Sequence, residues 1–153
     1  VRNLQIGVIG AGQAESQQEE LAGAVGRELG RRGITLLCGG LGGVMAAAAA
    51  GARSEGGLTV GILPGPDRLA ANPHIRIGIA TNMGHARNVS LVHSSDGLIA
   101  IGGEFGTLSE IAVALKVGKP VVSLGSWEIA PSIIAARDPR DAVERLLQAL
   151  GCP

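Results

Sequence analysis

Short apolar runs, each closed by a turn and most followed by a helix-like pattern, recur from one end of the chain to the other. "LQIGVIG" (4–10) is a β-rich run stopped by Gly10, Ala11 and Gly12. In the next segment Leu21, Val25 and Leu29 recur at four-residue spacing, with Gln, Glu and Arg on the other face, as in an amphipathic helix. It runs out at Arg31, Arg32 and Gly33, two cations and a glycine stop that suit a helix C-terminus. Further strand-like runs fall at 34–38, 58–65, 74–81, 97–103 and 120–124. The helices between them are expected at about 44–54, through 84–95, and from near Thr107 to a stop at Gly118. Beyond Trp127, Asp138 reads as the N-cap and Pro139 as the first position of a last helix, which Gly151 ends. Continuous apolar strands alternating with helices imply a parallel sheet covered on both faces. The fold class expected is α/β: a Rossmann-like doubly wound parallel sheet of about six strands, in a single domain spanning 1–153.

Composition narrows the function classes. Hydrophobic residues make up 46% of the 153 and charged ones 17%, which excludes a disordered chain. Phe105 and Trp127 are the only aromatic residues, so the core must be built from Val, Ile, Leu and Ala. Thirteen basic residues balance thirteen acidic ones, and without a basic excess no nucleic-acid partner is expected. Cys38 and Cys152 have no metal-ligand spacing around them, nor do His74, His85 and His93, so no metal site is expected. The longest low-polarity stretch, "GGLGGVMAAAAAGA", is too short to span a bilayer; the expectation is a cytoplasmic protein with no membrane partner. The alanine run 46–50 permits close helix packing, on the sheet or on a second subunit. Together with a mean hydropathy of +0.32, it leads us to expect a homodimer or homotetramer.

In a doubly wound sheet the strand-to-helix turns share one edge, and ligands bind there, where the strand order reverses. Three glycine loops follow strands and fall on that edge. They carry Gly10 and Gly12; Gly39, Gly40, Gly42 and Gly43; and Gly102, Gly103 and Gly106. The third, "GGEFGT", contains Phe105 and leads into a helix at Thr107. Unpaired N–H groups and a positive dipole end there suit a phosphate, with the Thr107 hydroxyl as a further donor. Asn82, Met83 and Gly84 open the preceding helix and can offer backbone N–H groups to the same anion. A dinucleotide fits poorly: "GAGQAE" has Glu15 where the fingerprint needs its third glycine, and no carboxylate follows the second strand. Glu104 is expected to point to solvent. "TLSE" reads as a capping box in which Glu110 reaches back to Thr107.

From "GHARNVSLVHSSDGLIAIGGEFGTLSEIAVALKVGKPVV" the chain resembles the LOG/lysine-decarboxylase-like superfamily, a Rossmann-like group that includes cytokinin-activating phosphoribohydrolases. The family pattern P-G-G-x-G-T-x-x-E is matched by Gly102, Gly103, Gly106, Thr107 and Glu110, with Arg87 on the helix before it. Ile101 replaces the motif proline, and Asn88 stands where the hydrolases carry lysine. In this form the chain is most similar to the molybdenum cofactor carrier branch, and distantly to the DNA-processing protein A group. The carrier resemblance implies a protein that holds a phosphorylated ligand, a nucleotide or molybdopterin cargo, without turnover and without a catalytic cofactor. The hydrolase resemblance implies cleavage of a nucleoside 5′-monophosphate at its N-glycosidic bond, with Arg87 and Glu110 as catalytic residues. Lysine decarboxylation is not expected, because Lys116 and Lys119 lie at the far end of their helix.

Overall fold

A computed structural model describes residues 3–152. Its strands are β1 (Gln5–Gly10), β2 (Thr35–Cys38), β3 (Thr59–Leu63), β4 (Ile77–Ala80), β5 (Gly97–Ile101), β6 (Val121–Leu124) and β7 (Ile134–Ala135). Interleaved with them are helices α1 (Ser16–Arg31), α2 (Val44–Ser54), α3 (Arg87–Ser94), α4 (Phe105–Lys116) and α5 (Pro139–Ala149). The strands form one parallel sheet in the order β4-β3-β2-β1-β5-β6-β7. The chain winds outward from β1 to β4 and then returns to lay β5 on the other side of β1. The strand order therefore reverses between β1 and β5, the two strands at its centre.

Sheet periodicity divides the core in two. Ile99 and Ile101 of β5 point with Val8 towards α1, α2 and α5, where Val25, Leu29, Ala48 and Leu146 meet them. Leu98 and Ala100 point the other way with Ile9, towards Leu91 of α3 and Ile111 and Ala114 of α4. The core is aliphatic apart from Cys38 and Met45, with Trp127 packed at its margin. The alanine run serves the crossing of α2 with α1, which two glycines make close. A Cβ on Gly26 would lie 2.0 Å from the Ala48 carbonyl oxygen, and one on Gly51 2.1 Å from that of Gly23. Any larger residue at either position would force the helices apart.

Two expectations need correction. The sheet has seven strands rather than about six: β7 pairs Ile134 with Val122 and Ala135 with Ser123. Two residues are too few to leave a periodic signal. Helix α4 starts at Phe105, two residues ahead of Thr107, and its N-cap Glu104 makes no side-chain capping bond. Thr107 and Glu110 therefore lie within the helix, and the capping-box reading of Glu110 fails. By contrast, the Asp138 carboxylate does cap α5, accepting the Asp141 N–H at 2.8 Å ahead of Pro139.

Candidate functional site

The three glycine loops come together above β1 and β5, around a cavity of about 390 Å³. Val8 and Ile9 form part of its floor, and Gly10, Gly12 and Gln13 wall one side. Gly39, Leu41 and Met45 face them from the β2–α2 turn. His85 comes from the turn before α3 and Arg87 and Asn88 from its start, while Glu104 is the N-cap of α4 and Gly106, Thr107 and Glu110 lie within it.

Helix α4 presents its N-terminus to this space. Its first intrahelical bond runs from the Leu108 N–H to the Glu104 carbonyl at 2.9 Å. The N–H groups of residues 105–107 consequently have no acceptor within the helix, which is the usual condition of an anion-binding helix start. Thr107 is buried, and its hydroxyl is packed so close to Gly103 that a Cβ there would meet it at 2.3 Å.

Arg87 opens α3 and is only 8% exposed. Its Nε donates to the Ile62 carbonyl at 2.8 Å, and its Nη2 makes a longer bond of 3.4 Å to the Gly39 carbonyl. Gly39 is needed for that approach, since a Cβ would lie 2.6 Å from Arg87 Nη2. Nη1 donates to Asn88 Oδ1. The Asn88 amide in turn donates to Ser109 Oγ at 3.3 Å, and Ser109 Oγ donates to the Gly106 carbonyl at 2.6 Å. Arginine, asparagine and serine thus link the start of α3 to the first turn of α4. The guanidinium is fixed by backbone carbonyls rather than by an exposed ion pair.

Glu110 is 7% exposed and lines the same cavity. Burial pushes its carboxyl up to about 7, with the Arg87 charge pulling the other way. Burial likewise lowers Arg87 from its ordinary value, while Glu110 opposes that shift. Cys38 lies beneath them, fully buried, and burial pushes its thiol up to about 11, so it stays protonated. The site thus combines a fixed cation, a carboxyl raised by burial and backbone donors outside the helix's own bonding.

Among the residues singled out from the sequence, Gly10, Gly12, Gly39, Arg87, Gly106, Thr107 and Glu110 line the cavity. Gly40, Gly42 and Gly43 shape its β2–α2 turn from behind; a Cβ on Gly43 would lie 2.2 Å from the Ala11 carbonyl. Asn82, Met83 and Gly84 are exposed just before the wall residue His85. Gly102 and Gly103 face a neighbouring cleft beside Gln18 and Trp127. Phe105 projects into solvent at 80% exposure. Glu104 is exposed as expected, yet it also contributes to the cavity mouth. Sequence reasoning passed over Gln13, Leu41, Met45 and His85. Their only signal was position, one or two residues beyond a glycine on the ligand edge. Lys119 sits at the other end of α4, donating to the Val92, His93 and Ser95 carbonyls.

This architecture defines a Rossmann-like α/β domain with a cavity at its topological switch point. The chain belongs to the SLOG cluster4 family, whose profile matches residues 3–149. It is 51% identical over 140 residues to an uncharacterized protein of Archaeoglobus fulgidus, covering 92% of each chain. The molybdenum cofactor binding protein of the phototrophic bacterium Rippkaea orientalis superposes with a TM-score of 0.92 at 35% identity, over 97% of this chain and 98% of that one. The molybdenum cofactor carrier protein of Chlamydomonas reinhardtii gives 0.88 at 36%, over 98% and 99%. DNA processing protein A from Streptococcus pneumoniae shares the fold alone, with a TM-score of 0.74 at 16% identity over 93% of this chain and 61% of that one. Among the described residues no helix is long and apolar enough to cross a membrane.

Proposed function

We propose that the protein binds a phosphorylated small molecule in the switch-point cavity, as a carrier or sensor, and that molybdopterin-type cofactor is its cargo. The observation that carries this reading is the convergence of the free N–H groups of residues 105–107, Thr107 and the buried Arg87 guanidinium on one cavity. A phosphate there meets a helix dipole, backbone donors and a cation already desolvated by the fold. The cavity volume of about 390 Å³ lies in the range of small-ligand sites. The cofactor-binding proteins that resemble the chain over nearly its whole length support the choice of cargo.

The test is direct. A Cβ on Gly106 meets nothing within 4 Å, so Gly106→Val is expected to keep the fold. The valine side chain would project beside the α4 start and weaken phosphate-ligand binding at least roughly tenfold by displacing the anion from its donors. Unchanged affinity by calorimetry would remove the cradle from the account.

One observation favours a second reading, a nucleoside 5′-monophosphate phosphoribohydrolase. Glu110, held at about 7 beside Arg87, can give or take a proton at neutral pH. Release of free base from a nucleoside 5′-monophosphate panel, lost in Glu110→Gln, would establish the hydrolase. Raised melting temperature without base release would establish the carrier. Oligomerisation belongs to the proposal too. Ile77 and Ile79 on edge strand β4 are 47% and 45% exposed, and Leu69 beside them 75%. A second copy covering this edge gives the homodimer or homotetramer, and a monomeric mass by light scattering at micromolar concentration would count against it.

A further inference from the structure

The chain contains one phenylalanine, one tryptophan and no tyrosine, and it uses neither ring to fill the centre of its core. The two rings meet at the ligand edge. Phe105 and Trp127 are stacked with centroids 6.4 Å apart and planes inclined by 26°, an offset arrangement typical of aromatic pairs. Phe105 is the first residue of α4, and the residues on both sides of it, Glu104 and Gly106, line the cavity. Its ring is nonetheless 80% exposed, more than any other large apolar side chain in the described structure.

Trp127 is held where it is needed. Its neighbour Ser126 donates from Oγ to the Gly102 carbonyl at 2.5 Å and from its N–H to Ser123 Oγ at 3.0 Å, tying the segment to the glycine turn. The Trp127 indole N–H is buried and meets no acceptor among the described residues. A buried donor left unpaired means that packing, not hydrogen bonding, sets the position of this ring. Phe105 is thus flanked by an aromatic neighbour yet open to solvent, and among the described residues the cavity walls carry no phenylalanine or tryptophan ring, their apolar side chains being those of Val8, Ile9, Ala11, Leu41 and Met45.

We propose that Phe105, braced by Trp127, is the platform on which the planar fused nitrogen heterocycle of the ligand stacks, while the phosphate lies at the start of α4. This rests on the phosphate-binding reading and adds the class of group attached to that phosphate.

Calorimetric titration with guanosine 5′-monophosphate and ribose 5-phosphate separates the two ideas. The intact protein is expected to bind the nucleotide roughly tenfold or more tightly than the sugar phosphate, the usual scale of base–aromatic stacking. Phe105→Ala should bring the nucleotide down to the sugar phosphate's affinity and leave the latter unchanged, whereas Phe105→Tyr should keep the preference. Fluorescence of Trp127, the sole tryptophan, should respond to the nucleotide and not to the sugar phosphate. Equal binding of the two probes, or a ring preference that survives Phe105→Ala, overturns the platform and leaves the phosphate site standing. If neither probe binds the intact protein, the phosphate reading falls and the platform with it. A smaller mass for Phe105→Ala in light scattering, with the ring preference intact, would instead assign the exposed ring to a contact between copies.

Discussion

Glu110 on α4 and Asp141 on α5 are both carboxylates with arginine close by, and their surroundings drive them in opposite directions. Asp141 accepts from the Arg137 guanidinium at 3.0 Å, from the Arg137 N–H at 2.9 Å and from Arg145 at 3.0 Å. The Arg137 bonds, with help from Arg145, hold it well below the usual carboxylate range. No hydrogen bond from another described residue reaches the Glu110 carboxylate. Its neighbour Arg87 directs bonds to the Ile62 and Gly39 carbonyls and to Asn88 rather than to this carboxylate, so burial dominates and the carboxyl rises to about 7. One arrangement serves stability and the other withholds it. An acid that the fold leaves unpaired beside a cation, at the wall of a cavity, is where the chain has given up stability for a site.

Arg87→Ala tests the contrast with the largest expected effect. It removes the cation together with the partners of two inward-facing carbonyls, and should cost about 3–5 kcal/mol in urea unfolding. A cost below about 1 kcal/mol would mean that Arg87 is not structurally embedded.

Glu110→Gln should do the reverse. The folded value of about 7 lies above the ordinary 4.5, so the folded state holds the extra proton between those limits. Stability therefore falls as pH rises through that window and reaches its full cost above 7. The variant is expected to gain about 2–3 kcal/mol at pH 8 and almost nothing at pH 4, read as a pH series of unfolding midpoints. A gain independent of pH would disprove the titration of Glu110.

Asn88→Ala cuts the link from Arg87 to Ser109 and should cost about 1 kcal/mol, with a loss of ligand affinity that restoring the amide as glutamine does not fully recover. Full recovery by glutamine would show that the length of the link is unimportant. The smallest effect belongs to Asp141→Asn. The shift at Asp141 is downward, so its contribution is present above the ordinary carboxylate range and fades as pH falls towards the folded value. Wild type and variant should differ at pH 7 and converge in strong acid; a difference that persists there would assign the loss to packing.

The alternation of runs was enough to place most elements. Helix α2 was expected over about 44–54 and occupies Val44–Ser54, and the Asp138–Pro139 start of α5 is where its capping chemistry put it. Local signals could do this because caps, stops and periodicity act within a few residues. The start of α4 escaped them because Glu104 uses no side-chain cap. What the sequence could not display was which way a charged side chain turns. Arg87 stood out in the sequence only by its place beside the glycine motif; it is buried because carbonyls 25 and 48 residues earlier in the chain converge on it. Asn88 looked like a mere departure from the hydrolase pattern, and its partner Ser109 lies 21 residues away. Such links exist only once the sheet has set the loops side by side.

The reversal of strand order between β1 and β5 also fixes how the site can move. Both strands are hydrogen-bonded on each side, so the amides of Ile6 to Ile9 and Leu98 to Ile101 should exchange with solvent deuterium only when the whole domain opens. The loops above them are not tied in this way. In the proposed carrier a ligand would therefore enter and leave over a floor that keeps its place, and its release would cost the protein none of its global cohesion.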